Sequence, residues 1–300
     1  MGVRGTAVAV LGGDARMPVA AGELAALGAR VRAAGLPSGA APPGTEVFRD
    51  AGAALAGAGA VLLPVQGVAE DGRVYTEPGA GPLVLQPGDL DRLPPGSLVL
   101  TGLAPEWLRQ AARERRLRLV EYRDRDDFAL ANAVPSAEGA IQMAMAASPL
   151  CLFDSDALVL GLGRTGLVLA RMLQGLGARV TAAARKEADL ARAWALGLRP
   201  LPWDRLEEGL RSADFVFNTV PALVLTRERL GVLPRHGVIV DLASAPGGVD
   251  WAAARQLGIR ADLAPGLPGK VAPVTAGRIL ARLVVRCLEG APPAEPREGT

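Results

Sequence analysis

Three glycines with a particular spacing, Gly161-Leu162-Gly163-Arg164-Thr165-Gly166, carry the most chemistry in this sequence. A turn of this kind presents backbone N–H groups to an anion when it joins a strand to a helix. Gly161 permits the tight turn, Gly163 lets the backbone approach a pyrophosphate, and Gly166 lets helix and strand pack closely. The flanking residues supply that context. Ala157 to Leu160 is an apolar run of strand length. Leu167, Leu169, Ala170, Leu173 and Leu176 recur on the inward faces of a helix that Gly177 closes. Val180 to Ala184 reads as the next strand. Strand, glycine turn, helix and strand within about thirty residues make a dinucleotide-binding unit.

The end of that second strand bears on which dinucleotide is bound. An NAD site places Asp or Glu there to hold the ribose 2′-hydroxyl. This chain reads Ala183-Ala184-Arg185-Lys186, with Glu187 the first acid. Two cations attract a 2′-phosphate that a carboxylate would repel. The expected cofactor is therefore NADP(H), held by Arg185 and Lys186. The alternatives are a pair of solvated loop cations, or Glu187 turning back to a ribose.

In open α/β sheets ligands gather at the carboxyl ends of the strands, and the remaining candidates lie there. Asn218, Thr219 and Val220 follow one strand, and Asp241, Leu242, Ala243 and Ser244 follow the next. They are expected around the ribose and nicotinamide, with Gly247 and Gly248 allowing close backbone approach. Lys270 lies in a later proline–glycine loop. Near the N-terminus, Gly12-Gly13-Asp14-Ala15-Arg16 is a second glycine turn. It offers N–H groups and a guanidinium to a carboxylate, or else Asp14 caps the helix and pairs with Arg16. The charged stretch Arg123 to Asp127 reads either as an ion-paired crossing or as polar substrate contacts. Asn132, Ser136 and Glu138 lie at or near the start of a linking helix, where Glu138 also suits the helix dipole. The one histidine, His236, sits in a turn before a strand, which leaves little room for a serine triad or a histidine metal cluster. Cys151 and Cys287 form no metal or redox motif, so no metal site and a reducing cytoplasm are expected.

The elements that position these residues alternate strand and helix. In the first half, strands are expected at Thr6 to Leu11, Val31 to Ala34, Ala60 to Pro64, Ser97 to Thr101 and Leu117 to Tyr122. Helices are expected at Met17 to Leu27 and Pro105 to Arg116, and a loop over 69–82 with a hairpin around Val74-Tyr75. A helix from Ser136 to Ala147 links to the glycine unit, whose sheet continues through Leu198 to Leu201, Phe215 to Asn218, Val238 to Leu242 and Ile259 to Ala261. Leu263 to Pro273 reads as a loop. Thr275 to Leu288 is an amphipathic helix expected to return to the first domain. The fold class is α/β with two domains: an N-terminal flavodoxin-like or incomplete Rossmann domain, and a C-terminal NADP-binding Rossmann domain. The expected boundaries are 1–131 with 275–290, 132–274, and a flexible tail at 291–300.

With 300 residues, 50% hydrophobic, the chain can bury two cores. A net charge of +2 with scattered cations gives no footprint for nucleic acid or a membrane surface. No apolar run reaches the ~20 residues of a membrane span, and the N-terminus lacks a signal pattern.

Several segments together resemble one known family, the A subunit of dipicolinate synthase from endospore-forming bacteria. They are 11–16, 125–127, Asn132-Ala-Val-Pro-Ser-Ala-Glu-Gly139, 160–166, Asn218-Thr-Val-Pro221, 241–244 with 246–248, and 264–277. The last and longest is the most specific. Ala245 stands where the family pattern has Arg, and Ser136 where Thr is familiar, which keeps the hydroxyl. The resemblance implies NADP-dependent oxidation of dihydrodipicolinate, formed from 4-hydroxy-tetrahydrodipicolinate, to dipicolinate during sporulation. The partner it implies is the flavoprotein-like B subunit of the same synthase. The substrate it implies is a small dicarboxylate, and the place is the mother-cell cytoplasm; a homodimer is a further possible assembly. On this reading Gly13, Asp14, Arg16, Asn132, Ser136, Lys270 and Thr275 bind substrate. Arg16 clamps a carboxylate, and Asp127, Glu138 and Asp241 handle protons. The competing readings are an alanine-dehydrogenase-like or 2-hydroxy-acid dehydrogenase, and a non-catalytic NADPH-binding partner. The position of His236 argues against the hydroxy-acid class.

Overall fold

The computed structural model describes residues 2–37 and 39–290, so the tail expected at 291–300 lies outside the described residues. The chain forms two compact units, Met1–Asn132 with Ala272–Thr300, and Ala133–Val271.

Unit 1 contains β1 (Ala7–Leu11), α1 (Arg16–Ala26), β2 (Arg30–Ala34), β3 (Glu46–Phe48), α2 (Ala51–Leu55), β4 (Ala60–Leu62), β5 (Arg73–Val74), β6 (Leu83–Val84), β7 (Leu98–Thr101), α3 (Glu106–Glu114), β8 (Arg118–Glu121) and the start of α4 (Asp126–Ala147). Its parallel sheet runs β3-β2-β1-β4-β7-β8, the doubly wound order that reverses beside its first strand. All five residues of β1 are buried, as a central parallel strand requires. Strand β3 was not legible in the sequence. It is a three-residue edge with Val47 64% exposed, so it has no apolar signature and exists through its pairing with β2. The expected hairpin is β5 paired antiparallel with β6, with Val74 opposite Leu83.

Helix α4 starts ten residues earlier than Ser136, and Pro135 lies inside it. A proline removes one helical hydrogen bond and costs about 3 kcal/mol in a helix interior. Burial of Phe128, Ala133, Ala137, Ala140 and Ala144 offsets that cost, and Asp126 and Asp127 complement the dipole in the first turn.

Unit 2 contains β9 (Asp156–Leu160), α5 (Arg164–Gly175), β10 (Arg179–Ala184), α6 (Glu187–Ala195), β11 (Arg199–Pro202), α7 (Leu206–Arg211), β12 (Phe215–Asn218), α8 (Arg227–Gly231), β13 (Val238–Asp241), α9 (Trp251–Leu257), β14 (Arg260–Leu263) and α10 (Leu267–Val271). Its six parallel strands run β11-β10-β9-β12-β13-β14. The expected loop at Leu263 to Pro273 holds α10. Proline is tolerated early in a helix, and Leu267, Pro268 and Gly269 are buried, with Leu267 packed against Gly139 of α4.

The last helix, α11 (Pro273–Leu288), returns to unit 1. Its Leu280, Leu283, Val284 and Leu288 share a core with Ala20, Ala21 and Leu24 of α1. The approach is close: a Cβ on Gly277 would lie 2.5 Å from the Val19 Cβ and 2.7 Å from the Arg16 carbonyl. Among the described residues, no helix is long and apolar enough to cross a membrane.

Candidate functional site

In unit 2 each glycine of the turn after β9 meets a separate physical demand. Gly161 has φ +87°, the left-handed region glycine favours. A Cβ on Gly166 would lie 2.0 Å from the Gly161 carbonyl oxygen, so α5 can sit this close only without one. A Cβ on Gly163 would point into open space. Gly163 is also the N-cap of α5 and has no side chain with which to cap it. The N–H groups there have no intrahelical acceptor, and the helix dipole adds positive potential. Arg164 and Thr165 begin the helix, and Leu162 is buried beneath it. A pyrophosphate fits this arrangement.

The loops after β12 and β13 are braced from within, which corrects the roles expected of their side chains. Asn218 is buried and donates to Asp241 Oδ1 at 2.9 Å and to the Val220 carbonyl at 3.1 Å, while its Oδ1 accepts from the Val220 amide at 3.0 Å. The Thr219 hydroxyl donates to the Leu160 carbonyl at 2.8 Å. Asp241, 0% exposed, accepts from the Ala243 amide at 3.0 Å and the Gly248 amide at 2.6 Å. A carboxylate enclosed by three donors organises its loop. What these loops turn outward is Val220, Leu242 and Ser244, all at least partly exposed, over the buried Ala243.

Arg185 and Lys186, both exposed, stand just past β10, and Glu187 opens α6. The Arg185 guanidinium lies over the Trp203 ring, 5.0 Å from its centroid.

The glycine turn of unit 1 differs: its donors are already engaged. The amides of Gly12 and Gly13 donate to the carbonyls of Ala34 and Tyr75, that of Ala15 to Glu77 Oε1, and that of Met17 to the Asp14 carbonyl. The Arg16 guanidinium, 4% exposed, grips Asp14 through two hydrogen bonds of 2.7 and 2.6 Å. Burial opposes ionisation of Asp14, but the hydrogen bonds and charge of Arg16 prevail and hold its carboxyl below the usual range. The pair named as the alternative in the sequence is the one that forms, through Nε and Nη2 of Arg16.

Asp127 and Glu138 are also displaced from their expected roles. Asp127 takes two hydrogen bonds from Arg125, at 3.0 and 2.9 Å, and faces Arg286 at 3.4 Å. On α11, Arg286 lies nine residues past Gly277, which abuts Arg16, and nine residues of helix span about 13 Å. Asp127 and Arg16 therefore belong to opposite ends of α11. Glu138 lies mid-helix, not in a first turn. Asn132 and Ser136 share a face of α4 at a spacing of four, but Glu138 is two positions beyond Ser136 and points elsewhere. It borders an apolar groove with Met145, Met172 and Leu176, beside the C-terminal end of α5 and away from the glycine turn. Lys270, on α10, and Thr275, in the first turn of α11, are both exposed.

The Arg125 hydrogen bonds, outweighing partial burial, hold the Asp127 carboxyl below its ordinary value. Folding then favours the ionised form, so its contribution is present above about pH 4 and is lost as the pH falls through the folded value. Asp127→Asn is expected to unfold at lower urea than wild type at pH 7, with the gap closing below about pH 4.

Sequence reasoning passed over three neighbours of the Asp14–Arg16 pair. Gln66 adds a minor influence that lowers the Asp14 carboxyl, and Glu77 receives the Ala15 amide. Tyr75 is 42% exposed, and burial with the charges of Asp14 and Glu77 pushes its phenol up. Gln66, Arg73 and Tyr75 border a cavity of about 310 Å³. The available signal was position, since Gln66 closely follows a strand and Tyr75 directly follows another.

Comparison with known proteins agrees with this division. Residues 7–123 match the family model of the N-terminal domain of the dipicolinate synthase A subunit. Residues 136–246 match that of the D-isomer specific 2-hydroxyacid dehydrogenase NAD binding domain. Unit 2 is thus a dehydrogenase-type domain for a nicotinamide dinucleotide. The chain is 40% identical over 228 residues to the A subunit of dipicolinate synthase of Bacillus subtilis (strain 168), covering 76% of this chain and 77% of that one. The crystal structure of the A subunit of dipicolinate synthase from Bacillus halodurans superposes with a TM-score of 0.87 at 36% identity, over 96% of this chain and 99% of that chain. That of the Bacillus subtilis A chain gives 0.84 at 36% identity, over 95% and 96%.

Proposed function

The chain belongs to the family of dipicolinate synthase A subunits, and from that premise we propose that it oxidises dihydrodipicolinate to dipicolinate with NADP⁺. The observation that carries the cofactor half of this reading is the open glycine turn of unit 2 together with Arg185 and Lys186 past the end of β10, where an NAD site has an acid. When bound, the nicotinamide supplies a hydride acceptor. The amides at the start of α5 hold the pyrophosphate, Arg185 and Lys186 hold the 2′-phosphate, and Val220, Leu242 and Ser244 border the ribose and nicotinamide.

The reaction removes one hydride and one proton from the ring and gains aromaticity. No strong general base is required for so favourable a step. This accords with Asp127 and Asp241 being held in internal hydrogen bonds and Glu138 standing by a separate groove. Asn132 and Ser136, on one face of α4, are assigned to the substrate, with Lys270 and Thr275 as further polar contacts. Arg16 is reassigned from carboxylate clamp to positioning residue: with Asp14 it keeps the Gly12–Gly13 turn in shape. The flavoprotein-like B subunit completes the synthase in the cytoplasm of the sporulating mother cell.

The test is an NADP⁺-dependent turnover assay on freshly prepared 4-hydroxy-tetrahydrodipicolinate, with and without the B subunit, followed by pyridine absorbance. Product is expected from this chain. Product only with both proteins present places the site across them. Tight NADPH binding with no product under either condition overturns the synthase reading and favours a non-catalytic NADPH-binding role.

A further inference from the structure

Strands β10 and β11 run parallel with Ala184 opposite Pro202. Arg185 and Trp203 are therefore the first residues past two paired strand ends, and their meeting follows from the register of the sheet. Trp203 opens a short 3-10 turn, Trp203–Arg205, and packs against the core cluster that includes Leu201, Leu206 and Leu210. The ring is thus anchored by the core from one side. The Arg185 guanidinium lies over the ring, 5.0 Å from its centroid.

An aromatic partner differs in kind from an acidic one. A carboxylate would occupy the N–H donors of Arg185 and cancel its charge. A ring face attracts the cation through its quadrupole and leaves the donors at the guanidinium edge available for a bidentate anion. A long exposed side chain loses rotamer freedom when it binds, and holding it in place beforehand reduces that loss. Lys186 lies on the same loop and supplies charge without a planar fork.

We propose that Trp203 is a positioning residue that makes this site select the 2′-phosphorylated dinucleotide, by holding Arg185 in the orientation that receives the phosphate. The inference rests on the NADP reading of unit 2 and deepens it.

The test measures calorimetric affinities of the full chain for NADPH and NADH in wild type, Trp203→Leu, Trp203→Phe, Arg185→Gln and the Leu–Gln double variant. Wild type is expected to prefer NADPH. Trp203→Leu is expected to weaken NADPH about fivefold and to leave NADH unchanged, while Trp203→Phe, which keeps an aromatic face, stays within about twofold of wild type. In the Arg185→Gln background the leucine change is expected to do nothing more to NADPH, because the ring acts through the guanidinium. Equal weakening of both dinucleotides by Trp203→Leu, or an unchanged NADPH affinity, overturns the role of Trp203 and leaves the NADP reading standing. A wild-type chain that binds NADH as tightly as NADPH overturns the NADP reading and this inference with it. If Trp203→Leu does not fold, Trp203→Met carries the same comparison.

Discussion

Replacing Gly166 with alanine is expected to weaken dinucleotide binding about a hundredfold. The added Cβ would lie 2.0 Å from the Gly161 carbonyl oxygen and 3.2 Å from the Thr219 hydroxyl. The first of these neighbours is backbone, in the turn that must cradle the pyrophosphate, so nothing flexible can yield. Helix α5 and the turn must separate by roughly 1 Å, and a displacement of that size at a positioned group costs about a hundredfold. Overpacking adds about 1–3 kcal/mol of destabilisation. A control lies on the same helix: a Cβ on Gly175 meets nothing within 4 Å. Gly175→Ala is expected to keep full NADPH affinity and to gain roughly 0.5–1 kcal/mol from the lower entropy of the unfolded chain. Calorimetric titration and thermal unfolding of both variants check the pair. An NADPH affinity within about twofold of wild type in a folded Gly166→Ala protein would show that the glycine turn does not hold the cofactor.

Removing the carboxylate of Asp241 is expected to have the largest effect on stability. Asp241→Ala strips the partner from the Asn218 side-chain amide and from the backbone amides of Ala243 and Gly248. Each buried donor left without an acceptor costs about 1–3 kcal/mol. The three together come to about 3–9 kcal/mol, which lowers the midpoint of thermal unfolding by roughly 10 °C or more in a domain of this size. Asp241→Asn keeps the shape but turns an NH₂ toward a donor, so an intermediate loss is expected. Turnover in both variants should follow the folded fraction, with the pH profile of the surviving activity unchanged. A well-folded Asp241→Asn protein with a shifted pH profile would instead return Asp241 to the role of proton acceptor.

The contrast between the two glycine turns shows how far residue types alone can be read. Both follow a buried strand and open a helix, and both look ready for an anion. In the second, spacing is informative locally, because the left-handed φ of Gly161 and the 2.0 Å approach of a Gly166 Cβ to the Gly161 carbonyl oxygen arise within the turn itself. In the first, the donors are taken by Tyr75 and Glu77, more than sixty residues away in sequence. No local pattern reveals that engagement.

Helix α4 makes the same distinction. Proline and a run of mixed charge read locally as a break and a late start, and that start would have put Asn132, Ser136 and Glu138 at or near one helix end. Packing of small apolar residues on α4 carries the helix through Pro135, and once the helix is continuous its period separates Glu138 from the other two. Likewise β3 has no apolar alternation of its own and exists because β2 presents an edge to it.

By itself, then, the sequence determined the α/β class, the strand–turn–helix unit at Gly161, the absence of an acid after β10 and the amphipathic stripe of α11. Each is a matter of periodicity, glycine geometry or charge within one or two elements. Only the tertiary structure decided that Arg16 pairs with Asp14, that Asp241 pins its loop, that Asp127 lies at the far end of α11, and that Trp203 underlies Arg185. These outcomes depend on which donor, acceptor or ring the fold brings within about 5 Å of a side chain, whether two residues away or many. A buried polar group takes the partner that packing delivers, because leaving it without one costs more than any local preference returns.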